Sequence, residues 1–87
     1  MKKGRQTLLK LLAVEERTII FYESPMRLVK TLEELATYFG GDRLCCVSRE
    51  LTKMFEENKR GSLLEVAAYF KEKTVKGEIV VVVAGKE

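Results

Sequence analysis

Five consecutive β-branched residues, Ile79 to Val83 within the run Glu78 to Ala84 (EIVVVVA), constrain this chain more than any other feature. Successive side chains of a strand point to opposite faces, so a strand with no polar face reads as a central strand covered on both sides. The chain has 87 residues, 46% of them hydrophobic. A domain of this size buries only about 60 to 68% of the surface its unfolded chain exposes, enough for one modest core. The expectation is one domain over residues 1–87, organised around that strand.

The elements before it alternate in kind. Residues 6 to 16 place Leu8, Leu9, Leu11, Leu12 and Val14 at helical spacings. Arg17 to Tyr22 (RTIIFY) reads as a buried strand, followed by Ser24 as a helix N-cap and Pro25 as its first helical residue. From Pro25 the residues Leu28, Leu32, Leu35, Ala36 and Phe39 fall on one helix face, which Gly40-Gly41 ends. Leu44 to Ser48 reads as a second strand, and Lys53 to Arg60 as an ambiguous segment with the character of an edge strand. Ser62 and Glu65 have the spacing of a capping box that opens a third helix, with Leu63, Val66, Ala67 and Phe70 as its buried stripe. Strands alternating with helices predict a small α/β domain with a mixed, largely parallel sheet flanked by helices.

Sixteen Lys and Arg against thirteen Asp and Glu leave a net charge of +3, which permits a polyanionic partner without requiring one. The basic residues Lys2, Lys3, Arg5 and Lys10 precede any acid and read either as a solvated linker or as a phosphate-facing arm. The adjacent Cys45 and Cys46 read as reduced core thiols of a cytosolic protein. No apolar run approaches the length of a membrane span, so no membrane is expected as a partner. Histidine is absent, which removes His-based zinc sites, the Ser-His-Asp triad and histidine general bases together. No glycine-rich phosphate loop follows a strand, so a nucleotide site built wholly within the chain is not expected.

In open parallel sheets ligands collect beyond the carboxyl ends of the strands. Those ends carry Glu23-Ser24, Ser48-Arg49-Glu50 and Gly85-Lys86, which a parallel arrangement would bring to one rim. Glu23 and Arg27 are spaced for an ion pair, and Arg49 can reach a carboxylate or phosphate. From spacing alone, Glu23, Arg27, Arg49 and Glu50 read as a structural charge cluster that steadies strand ends, in preference to a binding site.

The run Phe21 to Leu28 (FYESPMRL) goes beyond generic pattern. Together with the basic lead KKGRQ, the run Arg49 to Lys53 (RELTK) followed by Phe55-Glu56-Glu57 and Arg60-Gly61, and the closing GEIVVVVAG, it resembles the small-subunit rRNA 2'-O-ribose methyltransferases of the tetrapyrrole methylase superfamily. The resemblance covers essentially the whole chain and corresponds to the C-terminal domain of a two-domain enzyme. The N-terminal domain with the glycine-rich cofactor loop would lie outside it. It implies S-adenosylmethionine as cofactor, a cytidine ribose of 16S rRNA in the small ribosomal subunit as substrate, and a cytoplasmic homodimer. It further implies that Glu23, Ser24, Arg49, Glu50, Ala84 and Gly85 form this domain's wall of the cleft, that Glu23 or Glu50 serves as base or orienting group, and that Tyr22, Ser24, Arg49, Ala84 and Gly85 contact the cofactor. Lys2, Lys3, Arg5 and Arg27 are the expected RNA contacts. Met26 stands where the family commonly has histidine, so any contact made by that histidine does not carry over. On this reading the chain alone is inactive; the alternative is a stand-alone RNA-binding or dimerisation module without catalysis.

Overall fold

The computed structural model describes residues 3–52, 55–73 and 77–86, with side chains described outside 3–5, 50–52 and 55. The order is α1 (Lys3–Ala13), β1 (Ile19–Glu23), α2 (Leu28–Phe39), β2 (Leu44–Thr52), β3 (Phe55–Ser62), α3 (Leu63–Lys71) and β4 (Ile79–Val83). Of the ambiguous segment Lys53 to Arg60, Lys53 and Met54 lie outside the described residues, and Phe55 to Arg60 belong to β3, an edge strand.

The four strands form one sheet in the order β1-β4-β2-β3, and every neighbouring pair is antiparallel. The expectation of a largely parallel sheet is therefore overturned. The β-α-β connections do return the chain in the same direction, since β1 and β2 both run opposite to β4. They are not neighbours, however, because β4 is inserted between them, as β2 is inserted between β3 and β4. Two split β-α-β units interlock, and alternation of elements along a chain cannot distinguish a split unit from a closed one.

The core lies between one face of the sheet and the helices. Leu28, Leu32, Leu35 and Phe39 of α2 and Leu63, Val66, Ala67 and Phe70 of α3 pack with Cys45, Val47, Ile79, Val81 and Val83 of the sheet. The opposite face is open. Ile20, Tyr22 and Leu44 are 65%, 80% and 62% exposed there, beside half-buried Val80, Val82 and Cys46. The β4 strand is thus central but covered on one side only, which corrects the two-sided burial expected from its composition. An antiparallel sheet can leave one face uncovered, and apolar side chains alone do not reveal which face that is.

Local signals fared unevenly. The capping box of α3 is complete: Glu65 N donates to Ser62 Oγ at 3.1 Å and Ser62 N donates to a Glu65 carboxylate oxygen at 3.0 Å. The start of α2 is displaced, because Ser24 O accepts from Arg27 N in a turn and Arg27, with no side-chain cap, stands at the N-cap instead. Gly40, at φ 96°, ends α2 as expected, in a conformation that favours glycine. Among the described side chains of α1 only Leu9 is buried; Leu8 and Leu11 are exposed, as is Val14 just beyond the helix. Among the described residues no helix is long and apolar enough to cross a membrane.

Cys45 and Cys46 are both free and point to opposite faces, so of the two thiols expected in the core only Cys45 lies there. Burial, with a smaller contribution from Cys46, pushes the Cys45 thiol up to about 11, so it stays protonated and unreactive near neutral pH. Alkylation of the folded chain at pH 8 should modify Cys46 alone, and both thiols after unfolding; mass spectrometry counts the adducts, and rapid double modification of folded protein would contradict the burial.

Candidate functional site

One end of the sheet gathers most of the strand-end residues singled out in the sequence. Glu23 closes β1 and pairs with Ile79 at the start of β4; Ile79 pairs in turn with Arg49 of β2, which faces Glu57 of β3. Glu50 follows at the same end, opposite Glu56. A hollow of about 280 Å³ opens here, lined by Tyr22, Glu23, Ser24, Glu78 and Ile79.

The antiparallel direction of β4 divides the rim expected from the sequence. Ala84 and Gly85 follow the opposite end of β4, beside Asp42, Arg43 and Leu44. Ala84 O accepts from an Arg43 guanidinium nitrogen at 3.2 Å, and Ala84 N donates to Leu44 O at 2.9 Å. These two residues do not share a rim with Glu23, Ser24, Arg49 and Glu50.

Within the rim the Glu23 and Arg49 side chains have defined settings. One Glu23 carboxylate oxygen accepts from Ser24 N at 2.8 Å and the other from Thr31 Oγ1 at 2.6 Å. Glu23 thus braces the turn that leads into α2, taking Ser24 and Thr31 as partners where the spacing had suggested Arg27. Arg27 is exposed and lines a neighbouring groove of about 470 Å³ between α1, β1 and α2, whose other walls include Leu9, Leu12 and Phe21. Tyr22 presents its ring on the open face of the sheet.

Arg49 Nε donates to Glu57 Oε1 at 2.5 Å, and the Tyr69 hydroxyl donates to Glu57 Oε2. The Tyr69 hydroxyl first, and Arg49 second, hold the Glu57 carboxyl below its ordinary value. The Arg49 guanidinium also lies 5.9 Å from the centre of the Phe70 ring. Glu57 entered the sequence reading only as part of the Phe55-Glu56-Glu57 run, and neither it nor Tyr69 was given a role there. Their link to Arg49 becomes legible only once β2 and β3 are known to form a hairpin in which positions 49 and 57 are opposed.

Lys2 lies outside the described residues. Lys3 and Arg5 belong to the first turns of α1, so from Lys3 onward the basic lead is helical and not a linker. Their side chains, like that of Glu50, are not described.

No protein-family model matches the chain. It is 54% identical over 83 residues to ribosomal RNA small subunit methyltransferase I of Synechocystis, a match that takes in 95% of the chain and 30% of that protein. The protein of the same name from Thermotoga maritima is 45% identical over 85 residues, 98% of the chain and 38% of the relative. This chain is homologous to the C-terminal part of ribosomal RNA small subunit methyltransferase I. Bacillus subtilis ribosomal RNA small subunit methyltransferase I is 44% identical over 84 residues, which are 97% of the chain and 28% of the relative. The chain spans roughly a third of the length of these curated relatives. Matches this extensive take in both the Phe21 to Leu28 stretch around Glu23 and the Arg49 to Lys53 stretch, so the rim belongs to the part shared with ribosomal RNA small subunit methyltransferase I.

Proposed function

We propose that the chain is the C-terminal region of an S-adenosylmethionine-dependent methyltransferase acting on the ribose 2'-hydroxyl of a cytidine in 16S rRNA, and that the Glu23–Arg49 end of its sheet forms one wall of the cofactor and substrate cleft. The observation carrying this reading is identity of 44 to 54% to ribosomal RNA small subunit methyltransferase I over nearly the whole chain. The residues present fit such a ligand: carboxylates suit the neighbourhood of a sulfonium, and the exposed Tyr22 ring suits a nucleoside.

The cofactor supplies an electrophilic methyl group. Glu23 or Glu50 would orient the ribose hydroxyl or accept its proton during methyl transfer. Tyr22, Ser24 and Arg49 would contact the cofactor; Ala84 and Gly85 lie outside this wall. Lys2, Lys3, Arg5 and Arg27 would meet RNA. The complete protein is proposed to act in the cytoplasm as a homodimer; the open sheet face is of the kind that interfaces cover.

The 87 residues alone should transfer no methyl group to 16S rRNA or to small subunits from labelled cofactor. A chimera in which this chain replaces the matching 83 residues of the Synechocystis relative should be active. Glu23→Gln in that chimera should lower kcat at least tenfold, about 1.4 kcal/mol of barrier, with its melting temperature retained. A folded chimera without methyl transfer overturns the reading and favours the non-catalytic module; an unchanged kcat for Glu23→Gln removes Glu23 from the reaction, leaves Glu50 as the candidate and makes the hydrogen bonds of Glu23 to Ser24 and Thr31 purely structural.

A further inference from the structure

Beside the rim, where α3 meets β3, two ammonium groups rest on one aromatic ring. Lys59 Nζ is 4.7 Å and Lys73 Nζ 4.6 Å from the centre of the Tyr69 ring. Cation–π contact holds an ammonium in place without cancelling its charge. The carboxylate that touches Tyr69 is Glu57, and both its oxygens are engaged, one by Arg49 and one by the Tyr69 hydroxyl. Glu57 lies within electrostatic reach of Lys73 as well as Arg49, and Glu65 within reach of Lys59, so the three cations face two carboxylates and the cluster keeps one positive charge in excess. Neither lysine makes an ion pair with a described residue, in contrast to Lys71 of α3, which pairs with Glu33 at 3.5 Å. Glu65, whose carboxyl is lowered in part by Lys59, accepts from Ser62 N in the capping box.

We infer that Lys59 and Lys73, held by Tyr69, form a phosphate-binding contact for the backbone of an RNA strand running past the Glu23–Arg49 end of the sheet. That the polyanion is RNA rests on the proposed function; the contact itself rests on the arrangement of charge. The ring faces already carry ammonium groups, so the cluster offers no stacking platform for a base and reads the backbone without regard to sequence. Ammonium groups held in position before binding lose less freedom when a phosphate arrives, which favours the contact over that of two free surface lysines.

The test is the salt dependence of binding between the 87-residue chain and a fluorescently labelled single-stranded RNA of about 20 nucleotides, followed by anisotropy. The double variant Lys59→Gln/Lys73→Gln should weaken binding about tenfold at low salt and reduce the slope of log K against log salt by about 1.4, the value for two single-strand phosphate contacts. Lys30→Gln/Lys86→Gln removes the same charge elsewhere and should leave most of that slope. Tyr69→Phe keeps the ring and should retain the slope, while Tyr69→Leu should weaken binding by releasing the ammonium groups. Equal slopes for the two double variants, or no salt-dependent binding by the unaltered chain, overturn the inference. Methyl transfer by the chimera reads separately: an active chimera combined with an unchanged slope removes the phosphate contact alone, and an inactive chimera with the expected slope removes the methyltransferase reading alone.

Discussion

Gly85→Ala is expected to cost about 2 to 3 kcal/mol and lower the melting temperature by roughly 10 to 20 °C, an effect of the size seen for overpacking against a backbone that cannot move away. A Cβ at Gly85 would lie far inside van der Waals contact of the Glu16 carbonyl group and close to the Arg17 carbonyl oxygen. Neither is a flexible side chain. The segment is held there from both sides: Lys86 N donates to Glu15 O at 2.7 Å, and the Arg43 guanidinium bridges Ala84 O and Ala13 O. A Cβ would therefore part the end of β4 from the α1–β1 connection. Gly41→Ala is the control, because there the Cβ meets the side chain of Leu64, which is more than half exposed and free to rotate. It should cost less than about 1 kcal/mol. Thermal melts followed by circular dichroism compare the two, and equal shifts would mean that the approach of Gly85 to Glu16 does not constrain the fold.

Arg49→Ala should destabilise the chain by about 2 to 3 kcal/mol, because it strips Glu57 of one partner and removes a cation from the Phe70 ring. The Arg49 and Glu57 side chains are 10% and 23% exposed, so water reaches the pair and the loss falls below that of a fully buried one. Glu57→Ala should cost a similar amount, and the double variant should cost clearly less than the two single losses added together, since each single change already breaks the shared contact. Additive losses in chemical denaturation would contradict the coupling. The same network sets a pH dependence. The folded-state pKa of Glu57 is depressed below 4.5, so its contribution is fully present above that value and declines as pH falls below it. Glu57→Gln should remove part of the acid sensitivity and leave the profile above neutrality unchanged.

These two networks show where sequence reading reaches its limit. The capping box at Ser62 and Glu65, the glycine stop at Gly40 and the helix face from Leu28 to Phe39 are local: each is decided by residues a few positions apart, and each was legible. The displaced start of α2 was not, because Glu23 and Arg27 draw Ser24 into a turn that a capping rule does not weigh. The convergence of Glu23, Arg49 and Glu50 at one end was expected from strand ends and is observed. The inclusion of Ala84 and Gly85 failed for one reason, the direction of β4.

By itself the sequence determined the elements, their order and kinship with the C-terminal part of ribosomal RNA small subunit methyltransferase I, because periodicity, caps and motif runs are written in neighbouring residues. Tertiary structure alone decided that β4 enters between β1 and β2, that one sheet face stays open, and that Arg49, Glu57 and Tyr69 meet. Strand order is set by which surfaces of distant segments pack best together. The Ile79–Val83 run is equally apolar on both faces, so nothing within it specifies its neighbours or the side on which the helices lie.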